Sequence, residues 1–165
     1  MKKKNILVVL LAALCINSAT PIEHPPTHLG PDVQKDLNCL AENVYYEARG
    51  ESEAGKKAVA EVTINRMNTP GFPSTVCGVV HEKHERTCQF SWVCQRHRQP
   101  IDREDQTWVE SKNIATDVLL FDDNPGIMKK KTALYYHADY VKPGWARHMT
   151  FIKRIGGHLF YTKKK

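Results

Sequence analysis

No apolar run in this chain exceeds eleven residues, Ile6 to Ile16. An ordinary membrane-spanning helix needs about 20, so a multi-pass membrane protein is excluded. There is no internal repeat and no low-complexity stretch. Collagen, coiled coil and flexible linker are excluded with them. Neither G-x-S-x-G nor a P-loop occurs, so the signatures of a nucleophile elbow and a phosphate cradle are absent. H-E-x-x-H is also missing, because His84 follows His81 by three residues and not four. What is present is 165 residues, 41% hydrophobic and 25% charged. That is the size and composition of one ordinary folded domain.

The N-terminus has the pattern of an address. Lys2, Lys3 and Lys4 precede the apolar run, and Asn17-Ser18-Ala19 follows it. This reads as a bacterial-type secretory signal peptide over residues 1–19. A buried N-terminal helix or an uncleaved anchor are the alternatives. A lipoprotein site at Cys15 is disfavoured, because Leu14 stands where a small residue is wanted. Cleavage would remove three lysines and no acids, and the formal charge would fall from +6 to +3. A body so mildly basic lacks the concentrated stripe of a nucleic-acid binder. Export to the periplasm, the cell envelope or the exterior is expected, with no nucleic-acid partner and no stable membrane insertion after cleavage. Nothing in the pattern calls for an oligomer, so a monomer is expected.

Four cysteines follow the signal segment: Cys39, Cys77, Cys88 and Cys94. An even count in an exported chain points to two disulfides, and three pairings are open. The alternative is a zinc site of His81, His84, Cys88 and Cys94, but H-x2-H-x3-C-x5-C is not a common ligand spacing.

Residues 20–32 are proline-rich and read as a flexible leader, with Asp32 as a helix N-cap. Helical spacing predicts a first helix over 33–49 and a second over 54–67, the latter apolar on more than one face and so central. Ser74 caps a short helix over 75–81. Residues 82–104 read as polar, cysteine-bearing and irregular. Asp105 caps a fourth helix to about Phe121, with Trp108, Val109, Ala115, Val118 and Leu119 packing and Asp122 to Gly126 as its stop. Thr132 to His137 reads as a strand. Thr150–Ile155 and His158–Thr162 form a hairpin around Gly156-Gly157. The fold class is α+β, a helical body with a small C-terminal β-sheet.

One acid stands out by position. At 100° per residue, Leu40, Val33, Val44 and Leu37 lie about 20°, 40°, 60° and 80° from Glu47 around the first helix. Glu47 therefore borders the apolar stripe, whereas Glu42 lies on the opposite side and should be solvated. A carboxyl group held against apolar neighbours resists ionisation and stays available as a general acid. The competing role is a salt bridge to Arg49, Arg66 or Lys57. Glu51, after Gly50, reads as a second carboxylate, a helix cap or a solvated acid. The aromatic residues are core by default, and some could stack on sugar rings.

Several segments occur together in order: Val44-Tyr-Tyr-Glu-Ala-Arg-Gly-Glu51, Gly55 to Arg66, Phe72 to Val80, Cys88-Gln-Phe-Ser-Trp92, Tyr136-His-Ala138, Trp145-Ala146 and Ile155-Gly-Gly-His-Leu-Phe-Tyr161. Their order and spacing resemble the cell-wall hydrolase family typified by the spore-cortex-lytic enzyme SleB, from about Leu37 to Tyr161. The resemblance implies a lysozyme-like domain related to goose-type lysozymes and lytic transglycosylases, here residues 33–165. It implies cleavage of peptidoglycan between N-acetylmuramic acid and N-acetylglucosamine, without metal or cofactor. The catalytic Glu of the E-A-R-G-E segment maps to Glu47. Gln89, Phe90, Ser91, Tyr136 and His137 map to the substrate cleft, and Glu51 is expected to bind substrate beside them. The second peptidoglycan-binding domain of the spore enzymes has no evident counterpart in this sequence. A water-using muramidase, a zinc amidase and a non-catalytic peptidoglycan-binding module are the rival readings.

Overall fold

The computed structural model describes residues 29–121 and 133–164. The expected signal segment, most of the leader, the Asp122–Gly126 stop and Thr132 lie outside them. Four helices, α1 (Pro31–Ala48), α2 (Glu53–Met67), α3 (Val76–Val80) and α4 (Gln106–Leu120), form the body. A two-stranded ribbon, β1 (Lys83–His84) and β2 (Thr87–Cys88), precedes a 3-10 turn at Ser91–Cys94. A three-stranded antiparallel sheet is built from β3 (Tyr135–Ala138), β4 (Met149–Ile155) and β5 (His158–Lys163) in the order β3-β5-β4. The α+β class expected from sequence is what is observed.

Local chemistry sets the helix ends. The N-cap of α1 is Gly30 and not Asp32, because Pro31 fills the first helical position, where its missing N–H costs nothing. Asp32 instead sits in the first turn, where the helix dipole favours an acid. Thr75, and not Ser74, caps α3, accepting from Gly78 N at 3.0 Å. Ser52 and Asp105 cap α2 and α4. In α4 the packing face differs from expectation at one position. Val109 is 40% exposed, and Ile114 is buried beside Trp108, Ala115 and Val118. Residues 82–104 are less irregular than expected, since they include the ribbon and the 3-10 turn.

Helix α2 is central, as its two-faced apolar pattern predicts. Ala60 belongs to a core with Leu40 and Val44 of α1, Val76 of α3, and Trp92 and Trp108. Val59 and Val62 belong to a second core with Ala48, Ala133, Ile155 and Phe160, which seats the sheet. Buried Asn43 ties the layers: its amide donates to Thr63 Oγ1 at 3.1 Å and its carbonyl accepts from Trp92 Nε1 at 3.2 Å. Paired in this way, the buried amide avoids the cost of an unsatisfied polar group.

The disulfides are Cys39–Cys77 and Cys88–Cys94, spanning 38 and 6 residues. The first staples α1 to the start of α3. Both cysteines of the zinc alternative are consumed in the second, so they are not thiolate ligands. From loop-closure entropy, replacing Cys39 and Cys77 by serine should cost about 4 kcal/mol, and replacing Cys88 and Cys94 about 2 kcal/mol. Urea unfolding of the two double variants checks both the size and the order of these losses.

Candidate active site

Glu47 lies one residue from the end of α1, where the sheet meets the helical body. Its carboxylate oxygen Oε2 accepts a hydrogen bond of 3.1 Å from the Tyr136 hydroxyl on β3. Burial pushes the Glu47 carboxyl up from the usual carboxylate range. The Tyr136 hydrogen bond and the charge of Arg66 oppose that shift without cancelling it. The Tyr136 phenol is raised well above its ordinary value, chiefly by burial and then by the neighbouring Glu47 charge. It therefore remains a donor at neutral pH. The border position on α1 read from periodicity is thus the position at which the acid is desolvated. Glu42, expected to be solvated, is only partly exposed.

The competing salt bridges resolve in detail. Arg49 lies over the Tyr45 ring and donates to its hydroxyl at 3.4 Å. Lys57 pairs with Glu53 at 2.7 Å and Asp117 at 3.7 Å. Arg66 acts on Glu47 through space, while its Nε donates to Leu134 O at 2.7 Å. With the Gln89 amide oxygen turned toward it, Arg66 also donates from both terminal nitrogens, at 3.1 and 3.3 Å. The guanidinium is packed over the rings of Phe90 and Tyr135 at 5.4 and 5.8 Å. It is 2% exposed, and burial lowers its pKa. An arginine remains charged even so, and fixed in this way it is a permanent positive charge beside the acid.

A cleft of about 430 Å³ opens here, lined by Arg66, Gln89, Tyr135, Tyr136, His137 and Trp145 among others. The His137 ring is stacked on Tyr161 at 5.2 Å and meets Trp145 edge-on at 5.5 Å. Its Nδ1 faces Ala138 O at 2.9 Å and its Nε2 faces the Tyr161 hydroxyl at 3.0 Å. A carbonyl can only accept, so Nδ1 carries a proton.

Of the residues expected at the site, Glu47, Gln89, Tyr136 and His137 converge. Phe90 does not reach the cleft surface: it is 3% exposed and forms the floor under Arg66. Ser91 is exposed at the start of the 3-10 turn. Glu51 is engaged elsewhere. Its Oε2 accepts from Gly157 N at 3.0 Å, and its Oε1 lies 3.8 Å from His158 Nδ1. A β-carbon on Gly156, whose φ is +55°, would collide with this carboxylate, and one on Gly157 would lie 2.8 Å from it. Glycines are needed there for a left-handed turn and for close approach. Arg66, read from sequence only as a possible partner of Glu47, also lines the cleft, with Tyr135 and Trp145 from the aromatic residues that could stack on sugar rings. Its place in a helix that is apolar on more than one face was the available signal for a buried Arg66.

This is an α+β domain with one desolvated acid at the edge of an aromatic cleft between helices and sheet. The family model described as Cell Wall Hydrolase matches residues 50–161, and the chain belongs to that family. The spore cortex-lytic enzyme of Oceanobacillus iheyensis is 34% identical over 127 residues, 77% of this chain and 41% of that protein. The Bacillus subtilis enzyme is 32% identical over 125 residues, 76% of this chain and 37% of that protein. The chain thus spans less than half the length of these relatives. The solved catalytic domain of the germination-specific lytic transglycosylase SleB from Bacillus anthracis superposes with a TM-score of 0.59 at 29% identity, over 84% of this chain and all of that one. The Bacillus cereus SleB catalytic domain gives 0.57 at 32%, over 83% and 94%. The lysozyme-like fold expected from sequence agrees with these neighbours.

A raised Glu47 pKa means that the folded state holds a proton the unfolded state releases. The wild-type protein therefore loses stability as pH rises from the ordinary glutamate range through the raised value. Glu47→Gln should be more stable than wild type near neutral pH, with the difference vanishing in acid. Urea unfolding of both proteins at the two pH values tests this, and a difference independent of pH would contradict it.

Proposed function

We propose that this protein cleaves the glycan strands of peptidoglycan between N-acetylmuramic acid and N-acetylglucosamine as a lytic transglycosylase, with Glu47 as its catalytic acid. The observation that carries the reading is the desolvated Glu47 carboxyl held by Tyr136 beside an aromatic cleft. The related Bacillus anthracis catalytic domain is itself described as a lytic transglycosylase.

In this reaction protonated Glu47 donates to the glycosidic oxygen, and the bond from that oxygen to the muramic acid anomeric carbon breaks. Positive charge develops at the anomeric carbon as the Glu47 carboxylate forms. Glu47 then takes the proton from the C6 hydroxyl of the same sugar. That oxygen bonds to the anomeric carbon, giving a 1,6-anhydro ring and restoring the acid. Tyr136 steadies the carboxylate between the two steps. Most glycosidases use two carboxylates. Glu51, the nearest alternative in sequence, is bound to the β4–β5 turn, which favours the single-acid route over hydrolysis by an activated water. Gln89, Tyr136, His137 and the aromatic rings beside them supply hydrogen bonds and flat apolar surface for sugar rings. No step needs a metal or cofactor.

We place the enzyme outside the cytoplasm, exported by residues 1–19 and acting as a monomer. Two disulfides support an oxidising compartment.

The test is mass spectrometry of soluble fragments released from purified peptidoglycan. Fragments ending in anhydro-muramic acid, one water lighter than hydrolysis products, are expected. Glu47→Gln should lower their rate of release by at least about 100-fold, the scale of general acid catalysis. Reducing ends would reassign the enzyme as a muramidase. Free peptides, or a fully active variant, would overturn the reading.

A further inference from the structure

Charge is divided unequally between the two halves of the molecule. The helical body, 29–121, carries fourteen acids and eleven bases. The sheet region, 133–164, carries Lys142, Arg147, Lys153, Arg154, Lys163 and Lys164 against the single acid Asp139. Asp139 is taken by Arg154. The remaining cations of that region pair with no described carboxylate.

Three of them stand on segments that border the cleft, and the Arg147 side chain donates to His148 Nε2 at 3.0 Å. Lys163 is the direct cross-strand partner of Met149, a cleft-lining residue, and directly opposed residues of an antiparallel pair project to the same face. Lys163 Nζ also stands 5.6 Å from the ring centre of Phe72, which contacts Tyr135 of the cleft at 6.4 Å. Lys164 Nζ donates to Arg147 O at 3.4 Å, which draws the two residues together. Arg147 belongs to the same 3-10 turn as Trp145 of the cleft wall. The facing segment, Met67 to Val80, contains no Asp, Glu, Lys or Arg. The cleft thus runs from aromatic rings to a cationic rim that no described carboxylate neutralises.

A peptide-free strand offers hydroxyls, amides and one lactyl carboxylate per muramic acid, held close to the sugar ring. The peptide carried on that lactyl group instead places several free carboxylates farther from the ring. We propose that Arg147, Lys163 and Lys164 form a subsite for the carboxylates of that peptide, so that the enzyme selects peptide-bearing muramyl residues over peptide-free ones. The proposal deepens the glycan-cleaving reading and rests on it.

The experiment compares initial rates of fragment release by the full chain on two substrates: intact peptidoglycan, and the same strands stripped of peptide by an amidase. Wild type is expected to favour the intact material by about tenfold in kcat/KM, the effect of two or three partly exposed ion pairs. Substituting Arg147→Gln together with Lys163→Gln should erase most of that preference through KM, and Lys163→Arg should retain it. Raising the salt concentration should narrow the preference of the unmutated protein, a readout that needs no variant to fold. Equal rates on both substrates at low salt would overturn the proposal. So would a preference untouched by the double variant with an unaltered unfolding midpoint. If the same variant instead loses only binding to anionic phospholipid vesicles, the rim is a membrane surface and the proposal falls. Glu47→Gln separates the two levels: if it stops release from both substrates, the glycan-cleaving reading stands whatever the preference.

Discussion

The contact on which the rest of this structure depends is the seat of Glu51 in the β4–β5 turn. A carboxylate accepting a backbone N–H in a partly buried place makes a charge-assisted hydrogen bond, stronger than a neutral one. Here it joins the corner between α1 and α2 to the hairpin at Gly156 and Gly157. The hairpin carries β5, β5 pairs with β3, and β3 carries Tyr136. Fixing one turn therefore fixes a hydroxyl on the adjoining strand against Glu47. Two acids four residues apart divide the work: one holds the lobes together, and the other is desolvated where they meet.

Much of this was legible from sequence, for reasons that differ from element to element. Helix α1 carries 3.6-residue periodicity, α2 is apolar on more than one face and α4 follows the Asp105 cap, so the existence of all three could be read. The hairpin was legible from the paired glycines. Glu47 could be placed at the apolar border because α1 is regular and its angles follow from counting. The ends were less legible. Gly30 and Thr75 compete with Asp32 and Ser74 as caps, and only the backbone path decides between them. Val109 shows the same limit, because periodicity gives a face but not what covers it.

The site was legible only in part. Gln89, Tyr136 and His137 entered through resemblance, and no local pattern marks them. Phe90 shares their segment but turns inward under Arg66. Glu51 turns toward the hairpin, a long-range contact of 106 residues in sequence separation that spacing cannot reveal. Arg66 was seen as one possible counter-ion for Glu47. Its real place, packed among rings and donating to Leu134 O, depends on tertiary structure alone. The disulfide pairing likewise needed the fold, since three connectivities were equally compatible with the spacing.

Both disulfides lie between residues 39 and 94, within the helical body and its neighbouring loop. No covalent cross-link reaches the sheet. The molecule is therefore braced on one side of its cleft and held only by packing and hydrogen bonds on the other. Local opening follows the least protected contacts, and the sheet is the half with no cross-link to resist it. Each opening would bring water to Glu47 and return it toward an ordinary, ionised carboxylate. Acid strength in this protein is thus a property of lobe closure as much as of residue identity.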